Sequence, residues 1–182
     1  MATDANRAPT RRLRLFLNDF RMLDASITLA DGHSLISWLA NRKSYVNLGG
    51  AKWSGEGATL FYVALKIDQI LWAASVDNDI PLTTASAPLR PRLVEIQLDG
   101  GLLIRAGLNI GERQRLSDYL ESLGPFIPVR DAQLLKSGRP PKEVNVALGD
   151  IALNQSAVQA VWELSLQKQP AGTPEPTEPE HA

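Results

Sequence analysis

Displaced by 81 positions against itself, this chain of 182 residues aligns with its own second half for about forty residues without a gap. Leu15 and Leu17 fall on Ile96 and Leu98, and Leu23, Ala25, Ile27 and Leu29 fall on Ile104, Ala106, Leu108 and Ile110. Leu35, Trp38 and Leu39 fall on Leu116, Tyr119 and Leu120, and Tyr45, Val46, Leu48 and Ala51 on Phe126, Ile127, Val129 and Ala132. Past Trp53 the second copy carries about seven extra residues, in the stretch Lys136 to Glu143 with its Pro140-Pro141 pair. The alignment then resumes at an offset of 88, which sets Val63, Leu65 and Ile70 on Ile151, Leu153 and Val158. A repeat of this length constrains the whole fold, because each copy must be one supersecondary unit. The insertion belongs in a surface loop, where extra chain costs little. Few polar positions match, so the copies share an architecture and not a chemistry.

Each copy spells strand, strand, helix, strand, strand, strand. Leu13, Leu15 and Leu17 alternate with Arg14, Phe16 and Asn18, the period of a half-buried strand. Asn18-Asp19 and Asp99-Gly100-Gly101 supply hairpin turns. Leu23, Ala25, Ile27 and Leu29 form the return strand. Leu35, Trp38 and Leu39, like Leu116, Tyr119 and Leu120, have the i, i+3, i+4 spacing of a short amphipathic helix. Tyr45 to Leu48 and Phe126 to Val129 are third strands, and Leu60 to Ile67 and Val144 to Leu153 hold the fourth. Val158, Ala160, Trp162, Leu164 and Leu166 alternate with Gln159, Val161, Glu163, Ser165 and Gln167, which points Trp162 at the core, as the helix spacing does for Trp38.

The expected organisation is a flexible N-terminus (1–11), a first unit (12–75), a linker rich in Ser, Thr, Ala, Pro and Asp (76–91), a second unit (92–168), and a disordered acidic, Pro-rich tail (169–182). Five short strands and one helix are too little for a two-layer sandwich. Bending the sheet on itself is the economical way to bury one apolar face and limit exposed edges. The fold class is therefore mainly β, as two tandem small bent-sheet barrels. The unit resembles the SH3-like and Sm-like barrels, although in Sm proteins the helix precedes the first strand and here it lies between the second and third. The run of a hairpin, then GHSLISWL or ERQRLSDYL, then an aromatic–aliphatic pair is also similar to small bacterial domains of uncharacterised function.

Composition removes several functions. There is no Cys, so disulfides, thiolate metal sites and a cysteine nucleophile are excluded. Two His, one of them penultimate, make a poor basis for a metal centre. The net charge is −1, which disfavours a chain built mainly to coat nucleic acid. No apolar run reaches the ~18 residues needed to span a bilayer. The polar N-terminus lacks the core of a signal peptide, so the expected location is cytoplasmic.

Candidate sites are few. Gly49 to Gly57 invites a phosphate-loop reading, but Trp53 follows Lys52 where Ser or Thr is required, so the segment is expected to be a flexible loop between strands. His33, at the start of the first helix, has Gln114 as its counterpart and no nucleophile partner, which leaves a solvent-facing or capping role. Asp118 and Asp131 are expected to cap backbone amides and not to act as an acid pair. Phe16 and Trp72 lie on outward faces in the first copy, where the second has Gln97 in place of Phe16. Together with Trp53, Arg14 and Arg105 they form the candidate interaction surface, for a contact between domains or subunits. The reading is a non-enzymatic adaptor, scaffold or assembly subunit, without cofactor, whose open strand edges could pair between copies or chains. The alternative is nucleic-acid binding through Arg-rich faces.

Overall fold

The computed structural model describes residues 8–84, 90–138 and 142–164. The first half contains β1 (Thr10–Leu17), β2 (Met22–Thr28), α1 (Leu35–Ala40), β3 (Tyr45–Trp53), β4 (Thr59–Lys66), a 3-10 turn (Ile67–Gln69) and β5 (Ile70–Ser75). The second contains β6 (Arg92–Leu98), a 3-10 turn (Asp99–Gly101), β7 (Leu102–Leu108), α2 (Leu116–Ser122), β8 (Phe126–Ser137), β9 (Lys142–Asn154), a 3-10 turn (Gln155–Ala157) and β10 (Val158–Glu163). The chain is thus mainly β, with two short helices.

Local chemistry explains where these elements begin. In β1 the alternation is realised, with Leu13, Leu15 and Leu17 buried and Arg12 and Arg14 exposed. Helix α1 starts at Leu35 because Ser34 and Ser37 form a reciprocal capping box, each backbone N–H donating to the other's Oγ at 3.1 Å. Leu35, Trp38 and Leu39 then face the core.

All ten strands form one antiparallel sheet in the order β10-β6-β7-β8-β9-β5-β1-β2-β3-β4. Its two ends are open: β4 pairs with β3 and β10 with β6, and neither has a second neighbour among the described residues. The halves meet edge to edge where β5 lies against β9, with Trp72 opposite Leu153 and Ala73 opposite Ala152. Two apolar clusters back the sheet, and the junction trades residues between them. Phe126 and Ala152 belong to the first-half cluster, and Leu71 and Trp72 to the second-half cluster. Asn154, 5% exposed, donates from Nδ2 to the Ile70 carbonyl across this junction at 2.9 Å.

Several expectations need correction. Gly49 to Trp53 is part of β3 and not a loop. Gly50 and Ala51 together oppose Ala25 of β2, a bulge that requires the left-handed φ of +53° at Gly50. Trp162 does not face the core. Gln159 is an extra residue in β10, since Val158 opposes Leu98 and Ala160 opposes Gln97. One added residue inverts the side-chain phase. Val161 therefore packs on the second cluster, while Trp162 is 38% exposed and donates from Nε1 to Glu95. The flexible N-terminus is too long by at least two residues, because Thr10 and Arg11 lie in β1. Within the expected linker two residues are core residues: Ile80 and Leu82 are buried in the first cluster, and Leu35 and Ile36 donate backbone bonds to the carbonyls of Pro81 and Leu82. Linker residues 85–89, the Pro140-Pro141 pair and the tail from 169 lie outside the described residues.

Candidate functional site

The residues expected to form an interaction surface are not gathered at one place. Trp72 is 4% exposed, and its ring stacks on Phe16 with centroids 4.1 Å apart. Phe16 in turn meets Phe20 edge-on at 6.2 Å, and Phe20 lies so close to Gly100 that a Cβ there would stand 2.2 Å from the ring. This row runs from the first half onto the second, with Trp72 buried and Phe16 half-buried within the chain. Trp53 is half-buried under the Arg21 guanidinium, which sits 4.1 Å over its ring.

The two arginines of that surface, Arg14 and Arg105, are answered by neighbouring carboxylates. Arg14 on β1 bonds both oxygens of its cross-strand neighbour Asp24, at 2.7 and 2.9 Å. Arg105 on β7 pairs with its cross-strand neighbour Glu95 at 2.6 Å. At offset 81 the two pairs occupy the same places with the charges exchanged, since residue 14 maps to 95 and residue 24 to 105. The Arg14 guanidinium holds the Asp24 carboxyl below its ordinary value, against a smaller opposing effect of burial. Arg11 does the same for Asp79, which also accepts from Ser75. In all, Arg11, Arg12, Arg14, Arg21, Arg92, Arg105 and Arg130 sit in ion pairs.

His33 is exposed at the start of α1, where Ser34 does the capping. Asp118 stands exposed in the first turn of α2 and accepts from Ser117 Oγ, with no backbone amide capped. Asp131 holds a left-handed φ of +48°, and its own N–H donates to Asp150. It is an amide capped by another carboxylate, the reverse of the expected role. No cluster of three metal-ligating side chains occurs among the described residues.

The most exposed apolar surface lies elsewhere, on the free strand β4. Phe61 is 82% and Tyr62 76% exposed, with their rings edge to face at 4.8 Å, and Leu60 beside them is 39% exposed. Tyr62 stands opposite Gly49 across the β3·β4 ladder, where no side chain can cover it. The same ring borders a groove of about 410 Å³ lined by Thr10, Ser26, Thr28, Trp38, Arg42 and Asn47, among others. Trp38 Nε1 is buried there with no hydrogen-bond partner among the described residues, and Arg42 lies over the indole at 5.2 Å. With β3 its one neighbour among the described residues, β4 sets an edge of backbone N–H and C=O groups beside two aromatic rings, the ingredients of strand addition. The sequence did carry a signal for these residues. Leu60-Phe61-Tyr62 is an unbroken apolar triplet, and alternation cannot bury every member of a triplet on one face.

Compared with protein-family models, with curated proteins and with solved structures, the chain matches none. No helix among the described residues is long and apolar enough to cross a membrane.

Proposed function

We propose that the chain is a non-enzymatic protein-interaction module, built from two copies of one small bent-sheet unit, that binds through the open edge of its first copy. Support for the duplication comes from element boundaries. The 3-10 turn and β5 at 67–75 reappear at 155–163, an offset of 88, and α1 and β3 begin 81 residues before α2 and β8. Both halves also lay their strands in the order fifth, first, second, third, fourth. The observation that carries the functional reading is the exposed Phe61–Tyr62 pair on a strand that has only one neighbour among the described residues. Native proteins blunt such edges with charge, proline or a covering segment. Two large aromatics do the opposite, and they are residue types enriched at interface centres. The nucleic-acid alternative gains no support from Arg14 and Arg105, whose charges are answered by Asp24 and Glu95 within the sheet.

The test is quantitative capture of partners from native lysate by the intact chain and by a Phe61→Ser, Tyr62→Ser double variant, both treated with nuclease. The double variant is expected to lose the specific partners while keeping its unfolding midpoint. Equal capture by both proteins would refute the edge as the binding surface.

A further inference from the structure

Resting on that reading of β4 as the binding edge, we infer that the partner it fits is a second copy of this chain, whose β10 pairs antiparallel with β4. The chain already contains one junction of this kind. Within it, the fourth strand of one half (β9) lies against the fifth strand of the other (β5). Among the described residues, the two strands with an open edge at the ends of the sheet are the remaining fourth strand, β4, and the remaining fifth strand, β10. Joining β4 of one molecule to β10 of the next therefore repeats a contact whose backbone geometry the fold already accommodates.

The register follows from the repeat. Trp72 opposite Leu153 and Ala73 opposite Ala152 become, at offset 88, Ala160 opposite Leu65 and Val161 opposite Ala64. Continued along the strands, this alignment brings the half-buried Leu164 alongside Phe61, and the exposed Trp162 alongside Val63. Side-chain bulk is complementary as well. At the internal junction the aromatics Phe16, Phe20 and Trp72 stand on the β5 side, and β9 carries Gly149 and Asp150 where β4 has Phe61 and Tyr62. At the free edges the bulk is exchanged. Phe61 and Tyr62 stand on the β4 side, while Gln97, Gly101 and Ala160 replace Phe16, Phe20 and Trp72. A β4–β4 pairing would place four aromatic rings at one seam with no such relief. Because β4 and β10 are different surfaces, the contact is head to tail, and each added chain leaves both edges free again unless a ring closes.

The absence of Cys makes the test direct. Leu65→Cys and Ala160→Cys variants are prepared separately and mixed under mild oxidation. Residues opposite each other in an antiparallel ladder bring Cβ atoms to about 4.5–5.5 Å, near the reach of a disulfide. The expected result is a covalent species of twice the chain mass in the mixture and in neither variant alone. Wild-type chain should also sediment at a mass that rises with concentration, and Ala64→Pro should lower it. A mixture without cross-link, or Leu65→Cys cross-linking to itself as readily as to Ala160→Cys, overturns the inference. Loss of lysate partners by the Phe61, Tyr62 variant without any cross-link would reject the second copy while leaving β4 as a binding edge. Retention of those partners together with no cross-link would reject both.

Discussion

The fourth strands of the two halves, β4 and β9, hold equivalent places in sequence and live in different surroundings. In β9, Ile151, Ala152 and Leu153 are fully buried and Asn154 is 5% exposed. Their counterparts in β4 are Val63 and Leu65, half-buried, and Ala64 and Lys66, exposed. The strand pattern alone does not cause this difference, since Val63 and Leu65 are as apolar as Ile151 and Leu153. What differs is the neighbour: β5 lies on β9 and nothing described lies on β4. The residue types have followed the neighbour. Asn154 satisfies the Ile70 carbonyl across the junction and also accepts from Ser156, whereas Lys66 reaches out to Asp68 at 3.0 Å. A lysine at an open edge disfavours indiscriminate pairing.

The largest expected effect sharpens this contrast between covered and open apolar surface. Trp72→Ala removes a ring buried between the halves and stacked on Phe16, and large-to-small changes of this kind cost ~3–5 kcal/mol. Phe61→Ala removes a ring of similar class from solvent, where substitutions stay within about 0.5 kcal/mol. Urea unfolding of both variants checks it. Equal midpoints would mean that Phe61 is covered in the isolated chain and that the two strands are not different after all.

The next effect is carried by a single side chain. Asn154→Ala leaves the Ile70 carbonyl without its buried donor and the turn at Ser156 without its acceptor. A lost partner of this sort costs about 1–3 kcal/mol. The matching change on the open strand, Lys66→Ala, should leave the midpoint unmoved. If Asn154→Ala is equally silent, the junction is held by apolar contact alone, and the polar difference between the strands is incidental.

How much of this was visible beforehand depends on which physical rule governs each residue. Period-two burial in β1 and the i, i+3, i+4 face of α1 are local consequences of side-chain geometry, and Leu13, Leu15, Leu35 and Leu39 sit where that geometry puts them. Trp162 went astray because the bulge at Gln159 inverts the phase, and the pleat period by itself carries no sign of an inserted residue. Trp72 lies outside the apolar cluster of its own half and within that of the other. Its burial comes from a second half joined through β9, a long-range pairing that pattern within one strand does not express. Ile80 and Leu82 are hidden by composition: Pro81 and the polar neighbours read as linker, while two apolar side chains dock on the first cluster. For the candidate site the missing rule was again about neighbours. Phe61 and Tyr62 were legible as strand residues, and only the sheet order shows that the strand lies at an end.

The smallest effect separates the halves by their charge pairs. Arg14 and Asp24 are partly exposed, so the pair contributes only ~0.2–1 kcal/mol. Because Arg14 holds the folded Asp24 carboxyl below its ordinary value, the unfolded chain takes up that proton first as pH falls. The contribution is intact above the unfolded value of about 3.9 and disappears as pH drops through the lower, folded value. Asp79, held down by Arg11, follows the same course. Wild-type stability should therefore decline below about pH 4, and Asp24→Asn should lessen the decline while lowering stability slightly at neutral pH. Salt at neutral pH should shrink the difference between the two proteins, since exposed pairs are screened. The exchanged pair of the second half, Glu95 with Arg105, provides the control. Its acid is the better hidden, with a side chain 14% exposed against 37% for Asp24, and it also accepts from Trp162. Added salt should then shrink the stability gap between wild type and Glu95→Gln less than the gap between wild type and Asp24→Asn. Equal salt sensitivity would show that the indole gives Glu95 no shelter, and that the two charge pairs differ only in the order of their signs.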